Sequence, residues 1–112
     1  MFEKVIPVYL SIRKYPEACW HIIWAIAQGH PIVLHYCPDK RQNRSRRKSS
    51  LKKIPRKVGY DRDEYPPSCS FEGGKADVKY LHPSDNRGSG SIIGSQLRGL
   101  PDGTAFKIII VL

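Results

Sequence analysis

The sequence predicts a single small α+β domain, an antiparallel sheet with helices packed on it. Three observations predict it. The 112 residues, 40% of them hydrophobic, can fill one core but not two. Apolar residues recur at helical spacing in one long stretch, and a second helix start is signalled late in the chain. Short β-prone runs occupy much of the rest, including the end of the chain.

Taken in order, Val5 to Leu10 is rich in β-branched and aromatic residues and reads as a strand, with Pro7 confining it to an edge or a bulge. Pro16 suits a first helical turn, and Ala18, Ile22, Ile23, Ala25 and Ile26 then repeat at helical spacing as far as Gly29. Pro31 to Tyr36 is a short apolar run suited to a buried strand. Between Lys40 and Lys57 the composition turns strongly basic, and fair helical propensity up to Pro55 predicts a surface helix with fraying ends. Tyr60 to Tyr65 and Ala76 to Tyr80 form a strand, loop, strand unit around Gly73-Gly74. Pro83-Ser84-Asp85-Asn86 starts a helix whose apolar stripe is Ile92, Ile93 and Leu97. Gly88, Gly90 and Gly94 weaken that helix, so close approach of another backbone or a ligand is expected there. Ala105 to Leu112 is a β-prone run expected to be central and buried.

The formal charge of +9, with 19 Lys and Arg against 10 Asp and Glu, makes a polyanion the leading partner class, nucleic acid before anionic membrane. No apolar run approaches the roughly 18 to 20 residues of a membrane span. Met1-Phe2-Glu3-Lys4 lacks the charged start and apolar stretch of a signal peptide. Cys19, Cys37 and Cys69 are too few for a disulfide scaffold and lack the spacing of a structural zinc site. Cys19 falls inside a helix, where a buried inert thiol is usual, so Cys37 and Cys69 make the better pair if one bridge forms.

The acidic cluster Asp61, Asp63 and Glu64 stands out in a basic chain and needs a cation or neighbouring arginines to offset it. On a strand, Asp61 and Asp63 share one face, and Arg62 and Glu64 the other. Oxygen donors favour Mg2+ or Mn2+ over zinc. A polar turn with salt bridges to Arg62 and Arg87 explains the tetrad equally well. Asp85 and Asn86 suit a helix cap, yet Asn86 is also a neutral donor for a hard cation, and Arg87 offers a forked donor for phosphate. Ser89 and Ser91, with Gly90 between them, would let backbone donors approach a phosphate. Arg46, Arg47, Lys48, Lys52 and Lys53 are the expected contacts to a DNA backbone. Of the histidines, His21, His30 and His35 read as structural or exposed, while His82 is a weaker candidate base than a carboxylate.

These residues resemble the NucA/NucB deoxyribonucleases, small secreted nonspecific endonucleases of the ββα-metal type. The resemblance rests on Ile54-Pro55, Gly59 through Pro66, Glu72-Gly73-Gly74, Pro83 through Ser91 and Pro101 through Thr104, in matching order over about the last two-thirds of the chain. It implies a ββα-metal core within residues 55–112 of a single domain spanning 1–112. The implied site has Asp63 as general base, Glu64 second, and Arg62 and Arg87 on phosphate. Asn86 is the main metal ligand, helped by Asp61 and by Gln96, which stands where related nucleases often carry an acid. The resemblance also implies a Cys37–Cys69 bridge and export.

The expected function is therefore metal-dependent, sequence-nonspecific hydrolysis of DNA by a monomer, with duplex DNA favoured, RNA the alternative substrate and no membrane partner. One rival is a noncatalytic basic binding module. Another is the nuclease domain of a longer toxin, whose partner would be an acidic inhibitor or immunity protein.

Overall fold

The computed structural model describes residues 3–112; Met1 and Phe2, where the signal-peptide reading begins, lie outside them. Eight elements follow in order: β1 (Ile6–Ser11), α1 (Pro16–Ala27), β2 (Leu34–His35), α2 (Lys40–Leu51), β3 (Asp61–Tyr65), β4 (Asp77–Leu81), α3 (Pro83–Leu97) and β5 (Ala105–Val111). They make an α+β domain with two separate sheets.

The larger sheet has the order β1-β5-β2 and is mixed, while the smaller one is the antiparallel pair. β1 runs parallel to β5, from Ile6 opposite Phe106 to Ser11 opposite Val111, while β2 pairs with β5 antiparallel. β5 is central, and Ala105, Phe106 and Ile108 are buried. β1 is at an edge, where Pro7 costs no inner hydrogen bond. β2 is only two residues long, because Ile32 and Val33 of the predicted strand stay exposed. The core joins Val8, Leu10, Ala18, Ile22, Ala25, Leu34, Tyr65, Leu81, Leu97 and Phe106.

β3 and β4 form the second sheet, an antiparallel pair with Asp63 opposite Lys79 and Tyr65 opposite Asp77. Its two faces carry different chemistry, as strand alternation requires. One face sets Tyr65 and Leu81 into the core and Lys79 over the Trp24 ring of α1. The other holds Arg62, Glu64 and Tyr80, which bond to α2 and the segment after it: Arg62 to the Ile54 carbonyl, Glu64 to Arg47, Tyr80 to the Pro55 carbonyl.

Caps and close contacts explain the helices. Asp39 caps α2, accepting from the Arg41 and Gln42 amides. α2 ends at Leu51, its one buried residue, before the stretch reaches Pro55. Asp85 does not cap its own helix; from the first turn of α3 it caps α1, accepting the Glu17 amide at 3.0 Å and the Ala18 amide at 2.9 Å. Gly88 is required by packing, since a Cβ there would lie 2.5 Å from the Tyr15 ring. Nothing lies within 4 Å of a Cβ built at Gly90 or Gly94.

The expected Cys37–Cys69 bridge is not formed: all three cysteines are free thiols. The two backbones do adjoin, with the Cys37 amide donating to the Cys69 carbonyl at 2.8 Å. The Cys37 thiol turns instead toward Gln42 Oε1 at 3.6 Å.

Candidate active site

Among the described residues β3 pairs only with β4, which leaves its other edge without a strand partner, and α3 lies across from it. Between them opens a cleft of about 410 Å³, lined by Arg62, Asp63 and Glu64 of β3, Asn86, Arg87, Ser89 and Gly90 of α3, and Arg47 of α2. Two shallower basic grooves continue from it. One runs along α2 past Arg44, Lys48 and Lys52, the other past Arg56, Lys57 and Tyr60. Arg47 and Arg62 line all three.

Asp61 accepts from Asn86 Nδ2 at 3.0 Å and twice from Arg87, at 2.9 and 3.1 Å. These bonds, the arginine's first, hold its carboxyl below the usual range. Asp61 thus orients two α3 side chains. Because Asn86 gives its NH2 to Asp61, its carbonyl oxygen stays available.

Glu64 is only 8% exposed. One oxygen accepts from Arg47 at 2.5 Å, while Oε1, fully buried, has no partner among the described residues. Burial, opposed by the nearby Arg47 charge, raises its pKa above the ordinary glutamate value. A buried carboxylate oxygen without a donor, in a residue lining the same cleft as the Asn86 amide, suits a hard cation, which needs no proton from it. Among the described residues no group of three or more His, Cys, Asp and Glu stands ready for a metal. Any ion here would keep several waters, as Mg2+ prefers.

Asp63 lines the cleft, and its Oδ2 is bonded at 2.6 Å to Nδ1 of His21 in α1. The other ring nitrogen of His21 meets Asp77 Oδ1 at 2.8 Å. Sequence reading left His21 as structural or exposed and missed this link. A signal existed: position 21 lies on the buried stripe with Ala18, Ile22 and Ala25, where a histidine needs polar partners.

The remaining predicted site residues divide between the cleft wall, the grooves and positions away from both. Gln96 does not reach the cleft, because its amide pairs with both the N–H and the C=O of Tyr9 on the edge strand β1. Arg46 is committed to the Ser68 carbonyl, Asn43 and the face of Phe71. Ser89 is buried and donates to the Asn86 carbonyl, and Ser91 is exposed outside the cleft lining. His82 pairs with Glu17 and packs on Tyr60. Lys48, Lys52 and Lys53 are exposed on and just after α2, the first two along the groove.

β3, β4 and α3 form a ββα unit with an acid, an amide and arginines converging on one cleft, an arrangement consistent with the ββα-metal fold. No family model matches the chain. It is 48% identical over 92 residues to the DNA-entry nuclease of Bacillus subtilis (strain 168), an alignment covering 81% of this chain and 61% of that relative. The chain thus spans less than two-thirds of the relative's length. The similarity supports the resemblance to the NucA/NucB nucleases.

Proposed function

We propose that the chain is a metal-dependent endonuclease that hydrolyses DNA without sequence preference in the cleft between β3 and α3. One observation carries this reading most: Asp63, Glu64 and Asn86 share a cleft with three guanidiniums, Arg47, Arg62 and Arg87. Acidic and amide oxygens in one cleft with arginines suit a phosphodiester, which needs both an activated water and neutralised phosphate oxygens. The similarity to a DNA-entry nuclease supports a nuclease acting on DNA.

In this reading Asp63 accepts the proton of the attacking water at Oδ1, the oxygen that His21 leaves free. Arg62 and Arg87 take the phosphate oxygens through their forked donors. Glu64 Oε1 and Asn86 Oδ1 would hold the divalent ion, with Asp61 fixing the amide's orientation. Bound there, Mg2+ or Mn2+ would polarise the phosphate and favour departure of the leaving oxygen. The grooves along α2 and past Lys57 extend the backbone contacts on either side, which explains grip without sequence readout.

The test is cleavage of supercoiled plasmid with added Mg2+ or Mn2+ and with excess chelator, beside an RNA of similar length. Nicking that needs the metal and spares no sequence supports the proposal. Salt-sensitive DNA binding without cleavage under either metal reduces the chain to a basic binding module.

A further inference from the structure

We infer that His21 is a positioning residue of the nuclease reaction: a doubly protonated imidazolium, clamped between Asp63 and Asp77, that fixes the Asp63 carboxylate with one oxygen left for the substrate water. This rests on the reading of Asp63 as general base.

The proton count comes first. His21 is 1% exposed and its ring touches carboxylate oxygens at both ends, 2.6 Å to Asp63 and 2.8 Å to Asp77. Ionised carboxylates only accept hydrogen bonds, so two such short contacts require two protons among the three groups. An imidazole is a much stronger base than a carboxylate, so the ring keeps both. A neutral ring has one N–H and would leave a bare nitrogen facing an anionic oxygen in a buried site, which is repulsive. The ionisation tendency agrees. Burial disfavours the charge, but Asp63 from β3 and Asp77 from β4, the charged groups that bear on the ring, outweigh it and raise the pKa.

The mechanical consequence follows from the topology. Asp63 and Asp77 lie on the same face of the β3–β4 pair, two residues apart in register, and His21 spans them from α1. The clamp therefore ties the rotation of the Asp63 side chain to both strands and to a helix of the core. With Oδ2 bonded to His21, Oδ1 remains for the cleft. A carboxylate free to rotate would spend most of its time misaimed, and misplacement of a reacting group by about 1 Å can cost about 100-fold in rate.

The test combines spectroscopy with kinetics. In the wild-type protein at pH 7.5, 15N NMR of the His21 ring should show both nitrogens protonated; one unprotonated nitrogen overturns the clamp even if no variant folds. In single-turnover plasmid cleavage at saturating DNA, folded His21→Gln should lose about 10- to 100-fold in rate with DNA affinity unchanged. Asp77→Asn, which keeps an acceptor for the ring but removes the charge, should lose less. Wild-type rates in both folded variants, beside an inactive Asp63→Asn, overturn the clamp alone. A fully active Asp63→Asn would instead remove Asp63 as the base, and the clamp's role with it.

Discussion

Glu64 is the residue at which stability and the proposed activity should conflict. It is 8% exposed and its Oε1 has no partner among the described residues, so at neutral pH the fold carries a buried, half-satisfied carboxylate. Leaving such an oxygen unsatisfied costs about 1–3 kcal/mol. Glu64→Met removes the charge and the unpartnered oxygen together and forfeits the Arg47 pair, but half of the Arg47 side chain is already in water, so that loss is about 0–1 kcal/mol. The net expectation is a gain of roughly 1–2 kcal/mol, or a melting temperature higher by about 4–8 °C for a domain of this size. The pH dependence has a definite sign. Burial raises the folded pKa of Glu64, so its linked stability is fully present below the unfolded value and falls as pH rises through the folded one. The stabilisation by Met should accordingly be present at pH 7.5 and shrink at pH 4. Calorimetry in chelator at both pH values measures it, and plasmid cleavage with Mg2+ should fall about 100-fold in the same variant. A melting temperature lowered at pH 7.5, or wild-type cleavage, would refute the reasoning.

Other outcomes follow from particular contacts. Asp85→Ala removes both acceptors that cap α1 and should cost about 2–4 kcal/mol in urea unfolding, whereas Asp85→Asn, which keeps one acceptor oxygen, should cost less. Gly88→Ala should destabilise the fold, because its Cβ meets the Tyr15 ring at 2.5 Å. Gly94→Ala, with open space around it, should instead raise stability by about 0.5–1 kcal/mol, and the two melting curves should move in opposite directions. Replacing Arg44, Lys48 and Lys52 with Gln should reduce the slope of log affinity against log salt by up to about 3 and weaken binding alike on unrelated duplexes. An unchanged slope would take the α2 groove out of the DNA path.

Local pattern made most of this fold legible. The Pro16 helix start, the basic helix, the acidic strand, the glycine-bearing helix and the central last strand were all readable because each obeys its own periodicity or capping chemistry. The parallel pairing of β1 with β5 was not, because it joins segments about a hundred residues apart and neither strand's pattern encodes its partner's direction. The site was half legible for the same reason. Asp61, Arg62, Asp63, Glu64, Asn86 and Arg87 announce themselves as charged or amide residues close together in two short motifs. Their division of labour depends on contacts across the chain: Asp61 is spent on Asn86 and Arg87, Asp63 on His21, and Gln96 on Tyr9. For His21 the buried stripe of α1 signals a need for polar partners, but not which ones, because one lies 42 positions away and the other 56. Gly88 was anticipated as a close-approach site, but the approaching group is an aromatic ring rather than a backbone or a ligand.

The most direct test of the central claim is a paired measurement on wild type and Asp63→Asn: DNA affinity in chelator, and plasmid cleavage after adding Mg2+ or Mn2+. The account predicts equal affinity for both proteins, metal-dependent cleavage by the wild type, and a rate at least about 100-fold lower in the variant. Equal cleavage by both would contradict Asp63 as the base, and no cleavage by a folded, DNA-binding wild type under either metal would contradict the nuclease itself.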